Sequence, residues 1–119
     1  MANPFVHLEL STPNLAKAKE FYTKLFNWTI TDNDMGGGMV YSMFKPDSGP
    51  GGGMFTMPGV PNMWLPYVGV KDINEATKHA TDLGAKVIRG PQEVPHMGWF
   101  TILADPNGTA IAIWQPQTT

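Results

Sequence analysis

The sequence predicts an α+β domain made of two tandem βαβββ modules, forming a cupped mixed sheet with helices on its outer face. Two observations lead there. The stretch from His7 and the stretch from Leu65 superimpose without a gap under a shift of 58 residues, which sets Leu15 on Ile73, Ala18 on Ala76, Leu25 on Leu83 and Ile30 on Ile88. Self-similarity at a fixed period means that one structural unit is used twice. Within each copy the hydrophobic period also changes, from the two of a strand to the 3.6 of a helix, across a capping residue. The 119 residues make one domain, with modules over about 5–57 and 65–115 and a linker over about 58–64.

In the first module Val6, Leu8 and Leu10 alternate with His7 and Glu9, which is the pattern of a half-buried strand. Thr12 is the expected N-cap, with Pro13 at the first helical position, where a missing N–H costs nothing. Leu15, Ala18, Tyr22, Leu25 and Phe26 mark the apolar stripe, Asn27 a left-handed end, and Lys17, Lys19, Glu20 and Lys24 a solvated face. In the second module Asp72 and Glu75 resemble a capping box, Ile73, Ala76, Ala80 and Leu83 form the stripe, and Gly84 stops it. Shorter strands are expected near 28–31, 39–44 and 54–57, then near 86–89, 100–103 and 110–114. Gly36–Gly38 and Gly49–Gly53 read as turns and a flexible loop, and Asp105-Pro106-Asn107-Gly108 as a turn before the last strand. Neither glycine run is a phosphate loop, because no G-K-[ST] follows.

Composition narrows the partners. Hydrophobic residues at 42% and charged residues at 15% fit a globular fold that leaves some apolar surface for a partner to cover. A net charge of −2 with scattered basic residues argues against nucleic acid or an anionic membrane surface, both of which reward clustered Lys and Arg. No segment approaches the roughly 18 consecutive apolar residues of a membrane span. The absence of cysteine removes disulfides, thiolate metal sites and cysteine nucleophiles. The first residues, Met-Ala-Asn-Pro, lack the regions of a signal peptide, so a cytoplasmic location is expected.

Three motifs carry a family resemblance. The first helix closes on Phe21-Tyr22-Thr23-Lys24-Leu25-Phe26-Asn27-Trp28, the second module opens with Tyr67-Val68-Gly69-Val70-Lys71-Asp72, and the last strand follows Asp105-Pro106-Asn107-Gly108. With a doubled βαβββ unit, this resembles the vicinal-oxygen-chelate superfamily of glyoxalases, bleomycin-resistance proteins and extradiol dioxygenases. The resemblance implies an open cup lined by both modules, and in metal-dependent members one ligand on the first and last strand of each module. Those positions here are His7, Met54, Leu65 and Ala112. Only His7 binds Zn²⁺, Ni²⁺ or Fe²⁺ in the ordinary way, whereas a catalytic metal needs about three protein ligands and an open position. No cofactor is therefore expected, and a divalent metal held through unrecognised ligands is the alternative. His79 falls on the second helix and His96 in the loop Val94-Pro95-His96-Met97, neither a natural third ligand.

Strand alternation puts His7, Glu9, Met54, Leu65, Tyr67, Ala112 and Trp114 on the cup face, and Val6, Leu8, Leu10, Val68, Val70, Ile111 and Ile113 under the helices. A wall of aromatic and thioether groups beside one His–Glu pair suits a small, partly apolar or planar ligand. Trp28, Trp64 and Trp99 are expected at its rim. The plain alternatives are a packed concave sheet and a hydrogen-bonded strand histidine. The favoured reading is a metal-free small-molecule binder resembling bleomycin-resistance proteins. The alternatives are an enzyme and a purely structural or interaction role. The enzyme would use His7 as general base with Glu9 beside it, or be a lyase, isomerase or dioxygenase with a non-standard metal site. A homodimer is expected, since superfamily members commonly pair.

Overall fold

In the computed structural model, which describes residues 3–34, 36 and 38–117, the βαβββ unit occurs twice. The first module runs β1 (Phe5–Ser11), α1 (Leu15–Leu25), β2 (Thr29–Asp34), β3 (Val40–Lys45) and β4 (Gly52–Phe55), with strand order β2-β3-β4-β1. The second runs β5 (Met63–Gly69), α2 (Ile73–Asp82), β6 (Lys86–Val94), β7 (Gly98–Ala104) and β8 (Ala110–Pro116), with order β5-β8-β7-β6. In each module the first strand pairs with the last in parallel and the other pairs are antiparallel, so the strands belong to one mixed sheet of eight. His7–Trp64 form one compact unit, and the chain from Leu65 onward forms the other together with the leading residues up to Val6. That leading arm is held by the Gly69 N–H, which donates to the Pro4 carbonyl at 2.8 Å, and by Asn3 Nδ2, which donates to the Gly69 carbonyl at 2.7 Å. Gly37, within the expected Gly36–Gly38 turn, lies outside the described residues.

The core of the first module is Leu10, Phe44 and Met54, against which Leu8, Leu15, Ala18, Tyr22, Trp28 and Ile30 pack. Helix α1 therefore covers one face of its sheet, as its inner stripe predicts. Met54, expected on the opposite face, is 0% exposed and pairs with Leu10 across the β1–β4 ladder. The shift of 58 fails here by one residue. Val68 and Ile113 are partners in the second module, so the true counterpart of Met54 is Ile113, at a shift of 59. A slip of one residue in a strand turns every side chain to the other face.

Several local expectations change for similar reasons. Asn14, not Thr12, is the N-cap of α1, and its Oδ1 accepts from the Lys17 amide at 3.0 Å. Thr12 lies too early to cap: its N–H donates to the Phe55 carbonyl at 3.0 Å and its hydroxyl accepts from the amide of Asn14, which is the cap itself, at 3.4 Å. The helix leaves through an extended Phe26 (φ −121°), so no left-handed Asn27 is used. Lys19 makes an exposed ion pair with Asp32 of β2 at 2.9 Å, while Leu25, expected in the apolar stripe, stands exposed. The Ser42 hydroxyl and then Lys19 hold the Asp32 carboxyl below the usual carboxylate range. Trp28 and Trp64 join Tyr22 and Phe44 in an aromatic cluster on the helix side, with the Trp28 and Phe44 rings stacked at 4.5 Å, so neither lines a rim of the open face.

In the second module Asp72 caps α2 through the amides of Asn74 and Glu75, and Gly84 (φ +103°) ends it, both as expected. Thr77 takes a buried place in the stripe by sharing a 2.8 Å hydrogen bond with Thr101 of β7. Leu83, expected in that stripe, is exposed beyond the helix end. Of the expected Gly49–Gly53 loop, Gly49 and Gly51 do lie outside any strand, whereas Gly52 and Gly53 are strand residues. A Cβ on Gly52 would sit 1.7 Å from the Leu8 carbonyl oxygen, so glycine is there for close backbone approach and not for flexibility.

Replacing Met54 by Ala should cost about 2–5 kcal/mol in urea unfolding, the usual penalty for a cavity in a closed core. The same change at the half-exposed Met57 should stay within about 1 kcal/mol. Equal small effects would return Met54 to the open face.

Candidate functional site

The helix-free face of the first module is assembled by register. Strand β1 sends His7 and Glu9 to this side, because Leu8 and Leu10 point to the core. Strand β4 puts Gly53 beside Glu9, and β3 puts Met43 beside Gly53. Tyr41 lies two residues from Met43 along β3, on the same face, and its ring stacks on Phe55 with centroids 6.1 Å apart. The expected pair of His7 and Glu9 is thus real as a juxtaposition, and it has a third member that the sequence reading missed. The Tyr41 hydroxyl donates to Glu9 Oε2 at 2.9 Å and lies 2.9 Å from His7 Nε2. Tyr41 gave no signal in the sequence, because its neighbours on this face come from two other strands.

Proton counting fixes the polarity of this chain. A phenol has one hydrogen, and here it goes to Glu9. With that hydrogen directed at Glu9, the 2.9 Å contact with His7 takes the tautomer in which Nε2–H donates to the Tyr41 oxygen, an assignment made from the hydrogen-bond pattern. Burial of the imidazole holds the His7 pKa below 6.5, and the nearby Glu9 carboxylate opposes that shift without cancelling it. His7 is therefore neutral at pH 7.

The corresponding face of the second module carries Leu65, Tyr67, Phe100, Ala112 and Trp114, as the alternation of β5, β7 and β8 dictates. Tyr67 and Phe100 meet edge to face at 6.4 Å, and Leu65, Tyr67 and Ala112 are buried. Val68 and Ile113, which pair across β5 and β8, point the other way with Thr101, under α2. Trp99 lies on that helix side too, in an open cleft of about 560 Å³ with Lys71, Pro91, Glu93 and Gln115, away from the face it was expected to rim. His79 is on α2, and His96 sits in the β6–β7 turn with a left-handed backbone (φ +68°).

The donor set does not fit a catalytic metal. Among the described residues no three His, Asp or Glu side chains converge. The first module offers one imidazole and one carboxylate, both committed to the Tyr41 hydroxyl. The second offers leucine and alanine at the positions that the sequence resemblance would give to ligands. What this arrangement can do is hold a neutral imidazole and a carboxylate in fixed relation beside two aromatic rings.

Comparison with known proteins agrees with the fold. The model of the Glyoxalase/Bleomycin resistance protein/Dioxygenase superfamily matches residues 5–113. The "Putative glyoxylase CFP32" of Mycobacterium tuberculosis is 32% identical over 114 residues, which cover 91% of this chain and 44% of that protein. The "Anthracycline biosynthesis protein DauV" of a Streptomyces species is 30% identical over 126 residues, covering 90% of this chain and 45% of that protein. The chain thus spans a little under half the length of these curated relatives. Among solved structures, methylmalonyl-CoA epimerase from Mycobacterium tuberculosis superimposes with a TM-score of 0.74 at 12% identity, covering 97% of this chain and 89% of that one, a likeness of fold.

The depressed His7 pKa has a signed consequence for stability. The unfolded chain takes up a proton at His7 near pH 6.5 and the folded chain only at lower pH, so stability falls as pH drops through that window and is complete above it. Urea midpoints should fall between about pH 7.5 and about pH 5.5, and His7→Gln should flatten that part of the profile. An unchanged profile in the variant would mean that His7 titrates normally.

Proposed function

This chain belongs to the Glyoxalase/Bleomycin resistance protein/Dioxygenase superfamily, and on that premise we propose that it binds a small, partly apolar or aromatic molecule without a catalytic metal. One observation carries the reading: the His7–Tyr41–Glu9 chain on the helix-free face of the first module, flanked by the Tyr41 and Phe55 rings. Such a face supplies apolar area from the rings and orientation from a few placed polar groups, the usual division of labour in a small-molecule site. On the corresponding face of the second module, Leu65, Tyr67 and Ala112 are buried and the part-exposed Trp114 is the group that offers a ring to the same ligand chemistry. A relative named for anthracycline biosynthesis makes planar aromatic polyketides the first compounds to try.

A second reading, metal-free acid–base catalysis, is favoured by the neutral state of His7 within a chain that ends on a carboxylate. In that reading His7 exchanges a proton with substrate while Tyr41 and Glu9 fix its ring. If a His7→Ala variant kept a detected activity intact, this second reading would be lost.

The binding reading is tested by thermal shift and metal analysis together. A ligand at about a hundredfold excess over its Kd should stabilise the protein by about 2.7 kcal/mol, and Tyr41→Ala should abolish the shift. Protein purified without chelator should carry only trace metal by plasma mass spectrometry, as should His7→Ala. A near-stoichiometric metal that disappears in the variant would overturn the metal-free reading, and a broad aromatic screen with no shift would overturn binding.

We propose further that the protein works as a homodimer in the cytoplasm. Phe21 and Leu25 of α1 are 56% and 57% exposed, and Phe26 and Trp64 also stand open, an apolar patch of the kind that a partner covers. Among the described residues no helix is long and apolar enough to cross a membrane. Light scattering at micromolar concentration should report about twice 13.0 kDa, and Phe21→Glu with Leu25→Glu should return the monomer mass.

A further inference from the structure

We infer that Gly53 is a positioning residue, kept free of a side chain so that the Tyr41 ring can lie across β4 and bring its hydroxyl to His7 and Glu9. Strand β4 separates β3, which carries Tyr41, from β1, which carries His7 and Glu9. Two strand spacings make that distance about 10 Å. The phenol bridges it by leaning diagonally toward Gly53 and lying low against the sheet. A Cβ built on Gly53 would fall 2.0 Å from Tyr41 Cζ, 2.2 Å from Cε2 and 2.3 Å from the hydroxyl oxygen. Its three nearest atoms all belong to the Tyr41 side chain, so that ring is the first obstacle.

The backbone does not demand glycine here. Gly53 lies within a regular strand, paired with Glu9 on one side and Met43 on the other, and its φ is outside the left-handed region. Glycine inside a strand is ordinarily a weakness. Gly52, next along the chain, has a different cause, since its Cβ would meet the Leu8 carbonyl and the Phe44 ring on the helix side. The two neighbouring glycines therefore serve two faces: Gly52 lets β1 and β4 approach, and Gly53 opens a slot for Tyr41.

This inference rests on the reading of the His7–Tyr41–Glu9 chain as the polar anchor of the site, but its test needs no ligand. In ¹⁵N-histidine spectra at neutral pH, the wild-type protein should show His7 protonated on Nε2. Gly53→Ala should lose that signature by moving the hydroxyl, and Tyr41→Phe should lose it by deleting the hydroxyl. A Gly53→Ala protein that keeps the Nε2–H signature would overturn the inference. A double-mutant cycle covers the case in which Gly53→Ala folds poorly. The alanine at 53 should be tolerated once Tyr41→Ala removes the ring, whereas Gly52→Ala should gain nothing from Tyr41→Ala. An alanine at 53 equally harmful with and without the ring would also overturn it. Failure of either arm leaves the binding reading to its own ligand screen, and an empty screen leaves these spectra unaffected.

Discussion

Strand β4 carries two glycines between β1 and β3, and the arrangement of the first module depends on how closely those strands approach it. On the helix side, Gly52 leaves room for the Leu8 carbonyl and the Phe44 ring, while Met54 fills the space beneath α1. On the other side, Gly53 leaves room for Tyr41. A side chain at 52 would force β1 and β4 apart. One at 53 would meet the Tyr41 ring first. Core packing and the site thus share one strand but use opposite faces of it.

The polar chain itself is a compromise between burial and charge. Taking His7 out of water disfavours imidazolium, and Glu9 nearby favours it, with burial the larger effect. Tyr41 reconciles the two by satisfying the carboxylate with its proton and the imidazole N–H with its oxygen. The same economy appears in the second module, where Thr77 and Thr101 satisfy one another beneath α2. Among the described residues, no buried side-chain nitrogen or oxygen is left without a hydrogen-bond partner.

Membership of the superfamily does not by itself fix the chemistry of the site. Fold and site are separable, because strands that build the sheet do so through backbone pairing and core-facing residues. Residues on the helix-free face can differ in chemistry without disturbing that pairing. Leu65 and Ala112 illustrate this: both are buried in well-paired strands, and neither offers a donor. The exposed apolar ridge of Phe21, Leu25 and Phe26 joins the core only at its edge, where Phe21 and Phe26 meet the Tyr22 ring and Phe26 meets Trp28.

Much of this was legible in the chain. The alternation of β1 placed His7 and Glu9 together, the Asp72 cap and Gly84 stop bounded α2, and the repeat revealed two modules, because each signal is local in sequence. Strand β6 ran on past Arg89 to Val94 because bulges around Arg89 and Gln92 carry the ladder past Pro91. Met54 was misplaced because an ungapped repeat hides a one-residue change between two long-range pairings. Tyr41 and the meaning of Gly53 were invisible for the same reason. The sequence determined by itself which segments become strands and helices and what chemistry β1 carries, since those follow from period and capping. Only the tertiary structure decided which face Met54 occupies and that Tyr41 joins His7 to Glu9, since both depend on the register of strands far apart in the chain.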